Sequence, residues 1–233
     1  MTTNQRNSTS EAKYNRITRW IGIFLAIEIL AGGTLACSLS DYLPKNTPAP
    51  GQVLYQDDFS NTNSGWDTWS DNDATVSYLD GGLRFKINKA QYDFWSRPGK
   101  RFDNASLQVD ATKMTGPDNN DFGLICRYKD EDHFYAFLIS SDGYAGIVKM
   151  KDGQYQLITT DHMQYSEIIR RGNATNHLRA ECLNQTLYFY INDQALLSTQ
   201  DSDYDSGEIG LVTGSYEEPG VDILFDNFLV YKP

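Results

Sequence analysis

From Val53 onward, apolar and polar residues alternate in short runs, and turn residues break the runs at close intervals. Leu178, Ala180 and Cys182 fall on one parity, with His177, Arg179 and Glu181 on the other. A period of two is what a half-buried strand requires, because successive side chains point to opposite faces. The same pattern predicts strands at 53–58, 74–79, 83–88, 91–96, 105–113, 122–129, 133–140, 144–151, 154–160, 176–183, 186–192, 195–199, 208–213 and 221–231. Asp80-Gly81-Gly82, Asp142-Gly143, Asp152-Gly153, Ser206-Gly207 and Pro219-Gly220 mark turns between them. Asp-Gly between alternating runs is a hairpin signal. The stretch 161–173 is predicted as a long loop or a short helix. Many short strands without helices predict an all-β fold, a two-sheet antiparallel sandwich over residues 52–233.

The first part of the chain follows another pattern. Lys13, Arg16 and Arg19 precede an apolar run from Trp20 to Ala36 that ends in small residues. A basic flank, an apolar run and small residues are the grammar of an export signal. The basic flank predicts that the start stays inside and the rest is exported. Thr34-Leu35-Ala36-Cys37 resembles a bacterial lipoprotein lipobox, which implies lipid on Cys37. The alternative is an uncleaved signal anchor: the run is near the lower limit of about 17 residues for a spanning helix. Glu28 in its middle would cost a permanent span about 2.5–3.5 kcal/mol, priced like Asp. Either reading makes 1–37 a targeting segment and places the domain outside the cytoplasm, anchored at a bacterial cell surface. Pro44, Pro48 and Pro50 make 38–51 an extended, semi-rigid linker.

Charge narrows the partners. The chain carries a net charge of -11, and its basic N-terminal segment leaves the rest more acidic still. Such a domain repels phosphate, which excludes nucleic acid and anionic lipid headgroups as partners of the sandwich. Fifteen Tyr and eleven Phe favour strands. With Cys37 assigned to lipid, Cys126 and Cys182 remain, both on the core parity of their strands, and an exported compartment permits a disulfide between them. The three His are scattered at 133, 162 and 177 and there is no C-x-x-C, so no metal centre and no cofactor is expected. Asp201-Ser-Asp203-Tyr-Asp205-Ser-Gly207 resembles the start of an EF-hand loop, but its Gly is at position seven and Val212 stands at position twelve. Asp118-Asn119-Asn120-Asp121 offers side-chain oxygens to Ca²⁺. Both segments read more simply as solvated turns.

Asp57-Asp58-Phe59-Ser60 followed by Ser64-Gly65-Trp66 resembles the opening of bacterial jelly-roll domains of the concanavalin A-like lectin/glucanase superfamily. The run from His177 to Cys182, then Leu187 to Asn192 and Ala195-Leu196-Leu197, is similar to that superfamily's late hairpin. Gly210 to Gly214 and the closing Phe225-Asp226-Asn227-Phe228 fit the same pattern, which also occurs in the 3-keto-disaccharide hydrolase domain class. The resemblance spans about residues 53–231 and implies a concanavalin A-like jelly roll. That fold hosts lectins, hydrolases and inert spacers, so it does not fix a function. Its glycosidases carry alternating carboxylates on one strand, and no E-x-D-x-x-E or E-x-D-x-E run is present. Asp57, Asp58, Asp222 and Asp226 read as turn and capping residues, and there is no Gly-x-Ser-x-Gly elbow.

Parity assigned from the two Cys puts Arg127, Tyr135, Phe137, Lys149, Arg179, Glu181, Tyr188 and Tyr190 on the faces away from the core. Rings that stack on pyranose faces, beside Arg, Lys and Glu that bond hydroxyls, suit a glycan. Trp95 is expected in the core, and Trp66 and Trp69 at a sandwich rim. The sequence therefore predicts a surface-anchored, non-catalytic carbohydrate-binding or adhesion module. The alternatives are a glycoside-acting hydrolase using a group such as Glu181, and a structural sandwich presenting loops to a protein partner.

Overall fold

Alternation in the sequence becomes strand throughout: every helix- or strand-type element among the described residues is a strand. The computed structural model of the protein describes residues 49–233, so the predicted targeting segment 1–37, its Cys37 and most of the linker lie outside the described residues. Among the described residues, no helix is long and apolar enough to cross a membrane.

In chain order the first strands are β1 (Val53–Asp57), β2 (Trp69–Ser70), β3 (Ala74–Leu79), β4 (Gly82–Ile87), β5 (Tyr92–Ser96) and β6 (Arg101–Phe102). The middle of the domain gives β7 (Ala105–Thr115), β8 (Asn120–Asp130), β9 (His133–Ile139), β10 (Tyr144–Lys151), β11 (Gln154–Leu157) and β12 (Gln164–Tyr165). The chain closes with β13 (Thr175–Leu183), β14 (Thr186–Ile191), β15 (Gln194–Gln200), β16 (Gly207–Ser215) and β17 (Val221–Tyr231). The predicted loop 161–173 contains the short strand β12 and no helix.

Two antiparallel sheets result. One has nine strands in the order β15-β14-β13-β7-β17-β4-β3-β2, with β1 also paired to β17. The other has eight, in the order β11-β10-β9-β8-β16-β5, with β12 beside β10 and β6 beside β16. The fold is a two-sheet antiparallel jelly-roll sandwich. The first and last strands pair, Asp57 opposite Phe228, so both ends of the domain leave from one place.

The core fills the space between the sheets. Val109, Leu178, Phe189 and Phe225 of the nine-stranded sheet meet Phe122, Leu124, Phe137 and Leu211 of the eight-stranded one. A disulfide joins Cys126 on β8 to Cys182 on β13 across this layer, with Cα atoms 6.8 Å apart.

The two sheets differ on their outer faces. In β13 and β14 buried residues alternate with half-buried ones, as in a sheet wet on one side. In β8, β9 and β10 almost every residue is buried, so the eight-stranded sheet is covered on both faces. A second apolar cluster, with Ile125, Tyr128, Phe134, Ala136, Met150 and Val212, lies on its outer face. Strand spacing shows how that face is closed. β5 and β11 end the same six-strand path, and in a flat sheet they would stand about 24 Å apart. Instead Tyr155 of β11 and Asp93 of β5 are neighbours that perturb one another's ionisation. Trp95 of β5 packs on Phe134 of β9 with centroids 5.4 Å apart, and Phe134 meets Tyr155 at 6.5 Å. The sheet is curled, and its outer face is concave.

Two stability outcomes follow. Replacing Cys126 and Cys182 together by Ala is expected to cost about 2–5 kcal/mol in denaturant unfolding, because the bridge closes a separation of 56 residues. An unchanged unfolding midpoint would contradict it. Phe189→Ala should cost about 3–5 kcal/mol, and Tyr188→Ala on the opposite face of β14 far less.

Candidate functional site

The eight residues assigned by parity do not form one surface. Arg179, Glu181, Tyr188 and Tyr190 do share the outer face of the nine-stranded sheet, where β13 and β14 pair Arg179 with Tyr190 and Glu181 with Tyr188. Their polar groups are engaged with one another: the Arg179 guanidinium lies 3.6 Å from the Tyr190 ring centroid and pairs with Glu181.

Arg127, Tyr135 and Lys149 lie elsewhere, and their outward assignment is corrected. Tyr135 is directly opposite Cys126, so it faces the core with Phe137 and Ile139. Lys149 is opposite Tyr135 and follows the same face. β9 reads His-Phe-Tyr-Ala-Phe-Leu-Ile, apolar on both parities, so alternation held no information about which face is inner. Arg127 fails for a different reason. It sits at φ 54° within an irregularity between Cys126 and Asp130, which turns its side chain inward to donate to the carbonyls of Asp103 and Tyr204. These three side chains close one end of the sandwich. Tyr135 donates to Asp201 at 2.5 Å, and Lys149 pairs with Asp201 and Asp203.

The other sequence candidates also find places. The acidic turn after β15 is neutralised by Lys149, Lys151 and Lys129. Asp57 accepts from the Phe59 amide and from the Trp66 indole at 2.9 Å, and Asp222 forms a bidentate pair with Arg84. Trp66 is buried in the core and Trp69 packs against it, so neither offers a ring at the rim. Trp95 belongs to the concave face, not to the core between the sheets. Of the segment Asp118–Asp121, expected as a solvated turn, Asp118 pairs with Lys113 and Asn120 bonds Pro117 and Ser141, but Asn120 and Asp121 begin β8 and are buried. Among the described residues no three His, Cys, Asp or Glu side chains converge as a metal centre.

The concave face carries the chemistry that parity missed. Glycine and alanine occupy many of its central positions: Gly123, Ala136, Gly146, Gly210 and Gly214. Larger side chains from flanking strands fold over them. Leu157 and Met163 cover Gly146, and Arg97 covers Gly210. The Arg97 guanidinium lies 4.2 Å from the Tyr128 ring centroid and pairs with Glu208 at 2.7 Å. Asp93 and Asp121 lie over Gly214, one from each strand beside β16. They are 3% and 0% exposed. Burial raises the Asp93 carboxyl to about 6. Burial, and then the charge of Asp93, lift Asp121 well above the usual carboxylate range.

At the lip of this face the rings become exposed. Tyr144 and Tyr165 are directly opposite in β10 and β12, so their side chains leave the same side of the sheet. Tyr144 shares the parity of Val148 and Met150, which puts the pair on the concave side. The rings are 40% and 48% exposed and meet edge to face at 5.7 Å. Exposed Arg171 stands over Tyr165, 5.9 Å from its centroid. Sequence reasoning placed Tyr144 at the start of a strand and left Tyr165 in a loop. Only the pairing of β12 with β10 brings them together.

The fold is shared with solved structures of low sequence identity. The carbohydrate-binding module CBM66 from Bacillus subtilis is 18% identical, with 72% of this chain and 96% of that one covered at a TM-score of 0.59. A Bacillus subtilis protein of unknown function with a galectin-like fold is 14% identical over 80% and 98%, TM-score 0.57. A Bacillus licheniformis β-glucanase is 11% identical over 77% and 97%, TM-score 0.54. No family model and no curated protein matches the chain.

The buried pair has a signed pH consequence. Each carboxyl holds its proton more tightly in the folded than in the unfolded chain. Their contribution to stability is therefore fully present below about pH 3.8 and is lost as pH rises through about 6 and beyond. In chelator-containing buffer at pH 8, Asp121→Asn should be more stable than the parent, because it removes a carboxyl that burial and the neighbouring Asp93 hold against ionisation. Thermal unfolding from pH 4 to 8 checks this. A parent curve that rises with pH across that window contradicts it.

Proposed function

We propose that the protein is a surface-anchored, non-catalytic carbohydrate-binding module whose site lies on the concave face of the eight-stranded sheet, at Tyr144, Tyr165 and Arg171. The observation that carries this reading is the exposed tyrosine pair. Two large aromatic residues, 40% and 48% exposed beside a largely buried apolar cluster, leave flat apolar surface for a sugar's C–H face. Arg171 adds hydroxyl-directed donors at the edge of the same platform. The patch on the nine-stranded sheet is weaker, because Arg179, Glu181 and Tyr190 already satisfy one another. That CBM66 is a carbohydrate-binding module and another neighbour is a β-glucanase agrees with a glycan as ligand.

Glycoside hydrolysis is the second reading, and the observation that favours it is the Asp93–Asp121 pair. Two carboxylates are the usual machinery for that reaction. Here both are sealed, and a glycosidic oxygen reaches neither unless the face opens, so binding is preferred. The acidic charge and the basic-flanked apolar segment support an exported domain held through Cys37.

A glycan array followed by calorimetry on the best hit tests the site. Tyr165→Ala and Tyr144→Ala should each weaken binding by about 1–3 kcal/mol, with unfolding midpoints nearly unchanged. Tyr188→Ala should bind as the parent does. Loss in Tyr188→Ala alone would move the site to the other sheet, and absence of any glycan hit would contradict the proposal. For the anchor, Cys37→Ala should abolish lipid labelling and release from the full-length precursor. A wild-type protein that retains Met1 at its mature size would identify an uncleaved anchor instead.

A further inference from the structure

Asp93 and Asp121 are both in register with Gly214, on the two strands that flank β16. Glycine leaves the space above β16 open, and one oxygen of each carboxylate points into it, where a Cβ on Gly214 would overlap both. Neither oxygen of Asp121 nor Asp93 Oδ1 receives a hydrogen bond of good geometry, although the Tyr155 hydroxyl comes close to Asp93, and the Tyr216 hydroxyl and Gly214 amide come close to Asp121. The Tyr155 hydroxyl, sealed from water, approaches Asp93 from β11 without a hydrogen bond of good geometry. The Tyr216 hydroxyl lies near Asp121 from beyond the end of β16 and also donates to Met163 Sδ at 3.7 Å. Among the described residues, no Lys, Arg or His forms an ion pair with either carboxylate.

Two buried carboxylates without a counter-charge are strongly unfavourable. A single shared proton is one remedy, but it joins only one oxygen of each acid. Tyr155 and Tyr216 lie beside the remaining oxygens without reaching good hydrogen-bond geometry, so the second Asp121 oxygen would stay poorly satisfied in a dry site, and buried groups of this kind are rare. A cation uses them all.

We propose that Asp93 and Asp121 are the anionic ligands of a cation site, with Tyr155 Oη as a neutral ligand and water completing the shell. The donors are all oxygen, which selects a hard ion. Irregular placement on three strands suits Ca²⁺, with its flexible shell at about 2.3–2.6 Å, better than Mg²⁺, which demands near-ideal octahedral geometry. The ion would tie β5, β8 and β11 together and so hold the curl closed. This site is separate from the tyrosine lip and does not rest on glycan binding. It also reverses the pH behaviour of the bare pair: with the ion bound, the loss of stability above pH 6 disappears.

The test is titration of CaCl₂, and separately MgCl₂, into chelator-treated protein at pH 7.5, read by calorimetry and thermal unfolding. The expected result is one Ca²⁺ per chain, with a saturable rise in unfolding temperature and weaker binding of Mg²⁺. Asp121→Asn and Asp93→Asn should each abolish the saturable event, Tyr155→Phe should weaken it about tenfold, and exposed Asp161→Asn should leave it intact. Circular dichroism confirms that the variants fold, and either Asp variant suffices. The proposal is overturned if no saturable binding is seen, or if both Asp variants retain it. Stability that climbs on acidification and ignores Ca²⁺ would overturn it in favour of a shared proton.

Discussion

A six-strand path that curls until β11 reaches β5 must bury both of its faces. β8, β9 and β10 have the composition for it, apolar on both parities with glycine or alanine where neighbouring side chains fold over. Most other features depend on that curl. It creates the second apolar cluster, seals Asp93 and Asp121 under Tyr155, and leaves the rings of Tyr144 and Tyr165 exposed at its lip. The nine-stranded sheet is not under this constraint. Its outer face stays half-buried and polar, with ion pairs and ring contacts turned on one another.

The disulfide and the polar closure secure the curled sheet against the other one. Cys126 and Cys182 join β8 to β13 across the core. At one end, Arg127, Tyr135 and Lys149 bind the acidic turn that follows β15. The charge of that turn, which in sequence suggests a calcium loop, is consumed by lysines of the eight-stranded sheet. Of the carboxylates that lack a counter-charge, Asp93 stands among aromatic residues of β5, whereas Asp121 closes the Asp118–Asp121 segment and is drawn into β8, where it is buried.

Much of the fold is legible in the sequence, because most strands have one wet face and alternate clearly. β3, β10 and β17 occupy the predicted ranges, and most others differ by a residue or two at the ends. The two-residue strands β2, β6 and β12 are too short to show a period. The site was less legible, for a related physical reason. On β13 and β14 alternation assigned the faces correctly, whereas on β9 both parities are apolar and only pairing with Cys126 fixes the inner side. Arg127 escapes any parity rule because its backbone is left-handed. Asp93 in Tyr-Asp-Phe-Trp carries a signal, an acid on the parity of the partly buried Trp95, but its partner Asp121 lies two strands away and no spacing rule connects them.

The central claim is that recognition belongs to the concave face of the curled sheet. Backbone amide spectra of isotope-labelled protein, recorded during titration with a bound oligosaccharide, test it most directly because every strand reports at once. The account predicts shifts confined to β10, β12 and the segment around Arg171, with β13 and β14 silent. Shifts centred on Arg179, Tyr188 and Tyr190 would contradict it.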